Sequence, residues 1–174
     1  LSHRVYTNGF LFREKTGERK LNISAINTYP EIEICDYQNL KNGKDYKLEN
    51  GEVIPNKNLT LDPRKPLSYA FCSDTSYHEP IIEQISGVDI LYHEATFLND
   101  LKERALQTKH STAKQAATIA LKANVGKLII GHYSQRYHDL DPLLLEAKSV
   151  FEKSFLAIEG ETHDLIRSYD SDRG

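Results

Sequence analysis

The residues that could do chemistry fall in four short runs. "FCSDT" sets Asp74 and Thr75 just past an apolar run, and "LYHEATF" sets His93 and Glu94 past a second. "LIIGHYSQRY" sets His132, Ser134, Arg136 and Tyr137 past a third, and His110 stands before Ser111-Thr112 where a helical pattern opens. Imidazole nitrogen and aspartate oxygen are natural zinc ligands, and a carboxylate can bridge two metal ions a few Å apart. A protonated His110 steadied by Glu94 could act as general acid toward a leaving alkoxide. Ser134 and Arg136 could hold a phosphate by charge-assisted hydrogen bonds. The start of the helix after His110 adds a positive dipole end that attracts anions. Together these residues suit metal-assisted hydrolysis.

Each piece has a bland reading. Asp74 can be an Asx turn or a cap, His93-Glu94 a satisfied pair at a strand end, and His132 an ordinary histidine after a glycine. The set outweighs its members because every one falls in a loop facing one rim, and open α/β sheets build ligand sites beyond the carboxyl ends of their strands. His78, His138 and His163 carry no such signal.

The elements that must position these groups alternate. "LSYAFC", "VDILY" and "KLIIG" read as strands, and "FLAIEG" as a closing one. "HEPIIEQIS" reads as a short helix stopped by Gly87. "STAKQAATIALKANV" is a strong helix, with Ala113, Ala116, Ala117, Ala120 and Leu121 at helical spacing and Thr112 and Gln115 at capping-box spacing. "DPLLLEAKSVF" is a helix capped by Asp141, with Pro142 at its first position. This is an α/β layer arrangement over about 67–166. Before it, about 13–57 is β-rich: "RVYTNGFLFREKTGERKLNI" suggests a hairpin turning at Thr16-Gly17, and "DYKLENGEVIPN" another turning at Asn50-Gly51. Between them lies an irregular arm or a short helix near Asp36 to Lys41.

The chain has 174 residues, enough for one ordinary domain, and its net charge of -3 gives no global basic signature. A nucleic-acid partner would need a local patch or metal ions. Two cysteines, Cys35 and Cys72, make no disulfide framework, so a reducing, cytoplasmic setting is the simpler expectation. No apolar run approaches the roughly 20 residues of a membrane span. No methionine occurs, which suggests a piece of something longer.

"DILYHEATF", "KHSTAKQAATIA" and "LIIGHYSQRY", in that order, resemble ribonuclease Z, the tRNA 3′-processing endoribonucleases of the metallo-β-lactamase superfamily. "LSHRVYTNGFLFREK", "FCSDT" and "LLLEAKSVF" extend the likeness over nearly the whole chain. The resemblance implies half of an αββα sandwich, its β-rich N-terminal part carrying an arm insertion, with two zinc ions per full-length subunit at the sheet edge; manganese suits the same ligands. It implies His3 and His132 as ligands of separate ions, Asp74 as the bridging carboxylate, His110 as the catalytic histidine and Glu94 as its assistant. Ser134, Arg136 and Thr75 would contact substrate, and Tyr37 of the arm could stack on a base. The implied partner is precursor tRNA, cut after the discriminator base to leave a 3′-hydroxyl, by a homodimer. The family's H-x-H-x-D-H segment is absent from the 174 residues. The chain is therefore expected to be a C-terminal half that binds zinc weakly, cleaves nothing alone and exposes core. The alternative is a superfamily hydrolase of a small ester or phosphodiester.

Overall fold

The computed structural model describes residues 1–165, which divide into two compact units, Leu1–Arg13 with the chain from Leu67 onward, and Glu14–Pro66. Strand β1 (Gly9–Arg13) belongs to the first. The second unit holds β2 (Lys20–Leu21), α1 (Ile23–Ile26), α2 (Tyr37–Lys41), β3 (Tyr46–Lys47), β4 (Val53–Ile54), α3 (Asn56–Leu59) and β5 (Thr60–Leu61). It has its own small core of Ile26, Ile32, Leu40, Ile54 and Leu59. The chain then returns through β6 (Ser68–Cys72), α4 (Ile81–Gln84), β7 (Ile90–Glu94), α5 (Lys102–Thr108), α6 (Ala113–Lys122), β8 (Lys127–Gly131), α7 (Asp141–Lys148) and β9 (Ser154–Leu156).

The main sheet runs β1-β6-β7-β8-β9, with β1 antiparallel to β6 and the other pairs parallel. Because side chains alternate across a strand, the register sorts the residues into two faces. Ala70, Leu91, Leu128 and Ile130 point to the face covered by α4, α6 and α7, where they meet Ile81, Ala113, Ala116, Ala117, Ala120, Leu143 and Ala147 in one buried core. Alanine is what lets α6 lie close to the sheet: its four inward alanines are fully buried, and a larger side chain would push the layers apart. The opposite face is aromatic. Phe10 and Phe12 of β1 stack in a chain with Tyr69, at 6.3 and 6.0 Å, Phe71 stacks on Tyr92 at 4.8 Å, and Phe10 and Phe12 are both more than half exposed.

Several expectations meet the structure directly. The second hairpin forms, with Gly51 at φ +90 closing the turn between β3 and β4. Helix α6 carries the Thr112–Gln115 capping box. The first hairpin does not form. β1 pairs with β6 and β2 with β5, so a local turn signal at Thr16-Gly17 was overridden by partners about 60 and 40 residues away in sequence. In α7 the cap position falls on Leu140 and Asp141 is already helical. Strand β7 continues through His93 and Glu94 rather than ending before them. Helix α5 carried no stop signal, because its left-handed end is Lys109 (φ 63) where glycine is usual.

Tight packing also governs how β8 delivers His132. A Cβ on Gly131 would collide with the Tyr92 ring, 2.7 Å from its Cε2 and Cζ. Gly131→Ala is therefore expected to lower unfolding stability by about 1–3 kcal/mol, read as a lower urea midpoint at unchanged slope. An unchanged midpoint would mean the ring turns aside freely.

Candidate active site

The site is organised by one buried carboxylate. Glu94, the last residue of β7, is fully buried and collects five donors. Oε1 accepts from the Thr75 backbone N–H at 2.9 Å and lies 2.8 Å from His110 Nδ1. Oε2 accepts from the backbone N–H groups of Thr96 and Ser111 at 3.2 and 3.1 Å and from the Thr96 hydroxyl at 2.8 Å. Three of these partners are backbone N–H groups, which can only donate, so both oxygens act as acceptors and His110 Nδ1–H is a donor. The loops after β6 and β7 and the residues before α6 thus converge on a single side chain.

The histidines line up beyond it. His110 and His3 have ring centroids 5.0 Å apart, and His110 and His132 5.2 Å apart. His3 Nδ1 lies 2.8 Å from the carbonyl oxygen of Lys109 and must donate to it. His132 Nδ1 lies 3.0 Å from Thr96 Oγ1, and its Nε2 lies 3.4 Å from Asp74 Oδ1. Asp74 is within reach of both ends: His3, Asp74 and His110 bring ligand atoms within 4.8 Å of one another, as do Glu94, His110 and His132. Segment 1–3 is held there because Ser2 donates its N–H to Thr75 Oγ1 at 2.9 Å while its carbonyl accepts from Ser76 N–H at 2.8 Å.

This donor set fits a divalent ion. With Nδ1 engaged on a carbonyl, His3 presents Nε2 as the remaining ring nitrogen, the arrangement by which second partners orient metal-binding imidazoles. Nitrogen with carboxylate oxygen suits zinc and manganese alike. No grouping of potential metal ligands among the described residues includes His78, His138 or a cysteine. Burial pushes the Cys72 thiol up to about 11, so it holds its proton at neutral pH and is neither nucleophile nor ligand.

The rim residues divide. Arg136 is exposed, donates from Nε to Ser134 Oγ at 3.0 Å and rests its guanidinium 5.1 Å from the centre of the Phe97 ring, which itself meets His110 edge-on. Thr75 is a correction: it is fully buried, with its N–H on Glu94 and its hydroxyl between Ser2 and Ser76, so it braces the site from behind and cannot contact substrate. The start of α6 is another. The N–H groups of Ser111 to Gln115 are taken by Glu94, Gln115, Phe97, Glu146 and Thr112 in turn, so the helix end has no donor left for a substrate anion. Tyr37 belongs to the second unit and packs, partly buried, on that unit's core. Thr96, Ser111 and Lys109 were missed as site residues. Only Thr96 and Ser111 had a signal, since they sit in "HEAT" and "HST" beside Glu94 and His110.

His93 is the strand neighbour of Glu94 and faces the helix-covered side. It is fully buried, donates from Nδ1 to the Glu94 carbonyl at 2.7 Å, and leaves Nε2 without a hydrogen-bond partner. Burial holds its pKa below the ordinary imidazole value.

A mostly parallel α/β sheet carries Asp74, Glu94 and His132 at the carboxyl ends of its strands, where open α/β sheets build ligand sites. The comparisons make the class specific. The chain is 47% identical over 175 residues to Ribonuclease Z of Cytophaga hutchinsonii, covering 99% of this chain and 53% of that protein. It is 47% identical over 165 residues to Ribonuclease Z of Porphyromonas gingivalis, covering 95% and 54%. The chain is thus a homologue of ribonuclease Z, and it spans about half the length of the curated relatives it matches. No family model matches it. The solved metallo-beta-lactamase fold protein YhfI of Bacillus subtilis superposes with a TM-score of 0.48 at 27% identity, over 52% of this chain and 36% of that one, too loosely to carry an argument.

Two outcomes follow from the buried groups. Glu94→Gln turns an amide N–H₂ toward groups that can only donate, and is expected to cost about 1–3 kcal/mol of stability in chemical denaturation; a neutral result would mean that the donors find water. His93, with its pKa lowered in the fold, contributes stability that is full above the unfolded value of about 6.5. That stability is lost as pH falls through the window below it, because the unfolded ring takes up the proton first. His93→Leu should therefore flatten the fall in urea midpoint between about pH 7.5 and pH 5.5; an identical slope would assign the acid sensitivity to other groups.

Proposed function

We propose that this chain is the part of a tRNA 3′-processing endoribonuclease that carries the general acid and three metal ligands, His3, Asp74 and His132. The observation that carries the reading is the Glu94–His110 pair, a buried carboxylate fixing Nδ1 of a ring whose Nε2 is free to act, in a homologue of ribonuclease Z. The metal is zinc or manganese; when bound, it supplies Lewis acidity toward a phosphoryl oxygen and makes a water nucleophilic at neutral pH. Two ions need more ligands than these three, so the reading requires the remainder of the relatives' length.

The protein's own steps are these. Precursor tRNA binds with the phosphate 3′ of the discriminator nucleotide against Arg136 and Ser134, whose guanidinium and hydroxyl already touch on the rim. As water adds to phosphorus, giving up one proton to solvent, and the P–O3′ bond breaks, His110 in its protonated form gives the Nε2 proton to O3′. The tRNA leaves with a 3′-hydroxyl and the phosphate stays on the trailer. Glu94, bound to Nδ1–H, keeps the ring aimed. Rings 5.0 and 5.2 Å to either side leave His110 little room to turn.

The family reading brings a homodimer and a cytoplasmic setting with it. The free cysteines Cys35 and Cys72 agree with a reducing compartment, and no helix among the described residues is long and apolar enough to cross a membrane.

The test is cleavage of a 5′-labelled precursor tRNA with zinc or manganese, comparing this chain with a version extended to the relatives' full length. Only the extended protein is expected to cut, after the discriminator base. In that protein His110→Ala should lower the cleavage rate by about 10²–10⁴-fold while metal content is kept. Loss of metal in the variant would make His110 a ligand instead of the acid. Turnover of a small chromogenic phosphodiester but not of tRNA would move the substrate to that class.

A further inference from the structure

Thr96 has no part in the steps above, yet its hydroxyl lies within hydrogen-bond distance of both the Glu94 carboxylate and the His132 ring. Oγ1 is 2.8 Å from Glu94 Oε2, 3.0 Å from His132 Nδ1 and 3.0 Å from the His132 carbonyl oxygen, and the side chain is buried. Its backbone holds the same loop, since Thr96 O accepts from Ser134 N–H at 3.1 Å. His132 itself sits at φ 59, a left-handed conformation that a non-glycine residue adopts only when its surroundings impose it. Thr96 Oγ1 lies against that residue at both the ring and the carbonyl.

One hydroxyl has one proton. Two of its three neighbours, the carboxylate and the carbonyl, can only accept. If the proton went to Nδ1, both oxygens would face an oxygen lone pair at 2.8 and 3.0 Å. If it goes to either oxygen, only one acceptor is left over, provided that Nδ1 carries a hydrogen and donates to Oγ1. The second arrangement wins on count, and the bond to a carboxylate is charge-assisted.

We propose that Thr96 is a positioning residue that locks His132 in its Nδ1–H tautomer, leaving the Nε2 lone pair pointed toward Asp74 for a divalent ion, and couples this ligand to the Glu94 carboxylate that aims His110. The proposal rests on the reading of His132 as a metal ligand. Nε2, 3.4 Å from Asp74 Oδ1, is the ring nitrogen that faces the other donor.

The experiment uses the full-length protein, with imidazole nitrogen NMR on the metal-free form and zinc titration against a competing chelator. In the unsubstituted protein His132 should appear as the Nδ1–H tautomer; an Nε2–H ring overturns the proposal without any variant. Thr96→Val keeps the shape and removes the hydroxyl. It is expected to mix the His132 tautomers and weaken zinc binding on the order of 10–100-fold, and Thr96→Ser should restore both. Unchanged tautomer and affinity in Thr96→Val overturn the proposal. Should Thr96→Val not fold, the unsubstituted tautomer and Thr96→Ser decide. A protein that binds zinc normally with Thr96→Val but still cleaves tRNA refutes only this inference; a protein that never cleaves tRNA refutes the functional reading and leaves the tautomer result standing.

Discussion

Everything at this site depends on keeping a carboxylate out of water. Removing an ion from solvent costs several kcal/mol even after relaxation, and it is tolerated only when nearly every lone pair is met. Glu94 is met by five donors drawn from three separate loops. The relation runs both ways. The loops have no regular structure to hold them, and the carboxylate gives each of them a fixed place. The loop after β6 contributes an N–H at Thr75, the loop after β7 contributes Thr96, and the approach to α6 contributes Ser111 and His110. Asp74, His132 and His110 are each within two residues or one hydrogen bond of those anchors. The relative positions of Asp74, His110 and His132 are therefore set by a single desolvated charge.

The rest of the unit makes that burial possible. Alanine on the inner face of α6 brings the helix close enough for Ser111 to reach Glu94, and Gly131 lets β8 pass the Tyr92 ring on its way to His132. Gly126 plays a similar part at the other end of β8, where a Cβ would lie 2.6 Å from the Asp89 carbonyl. Small residues here set distances between layers, and those distances are transmitted to the rim. His93 shows the cost of the arrangement: alternation along β7 sends it into the core, where Nε2 goes without a partner. Its Nδ1–H bond to the Glu94 carbonyl fixes the peptide from which the carboxylate side chain projects.

Much of this was legible in the sequence, for identifiable reasons. Strand and helix alternation from Leu67 onward is carried by apolar runs and by the helical spacing of alanines, and both are local signals. The gathering of Asp74, Glu94 and His132 followed from a rule about strand ends that parallel topology enforces, and His110 from the opening of a helix. What failed was non-local or directional. The pairing of Phe10 and Phe12 with β6 could not be read from Thr16-Gly17, because a turn signal does not choose a partner strand. Thr75 was misplaced because adjacency to Asp74 says nothing about which way a side chain points. Strand β7 has no break before His93, and only the count of donors around Glu94 explains how the ladder can continue through two ionisable residues. Helix α5 was invisible since lysine, not glycine, takes its left-handed end.

The saturation of the α6 terminus bears on how substrate charge is handled. A helix start normally offers backbone N–H groups to an anion, but here Ser111 gives its own to Glu94, and the next four are taken by Gln115, Phe97, Glu146 and Thr112. The anion that the helix end serves is thus the protein's own carboxylate. In the proposed function, a phosphate arriving at the rim would have Arg136 and Ser134 as its donors on this side. In that proposed function, binding of substrate and aiming of the acid are separate tasks: Arg136 and Ser134 on the loop after β8 would do the first, and the sealed set behind His110 the second. Changes on the rim can then leave the Glu94–His110 pair undisturbed. Changes behind it have to alter both His110 and His132, because Thr96 and Glu94 hold the two in one hydrogen-bonded unit.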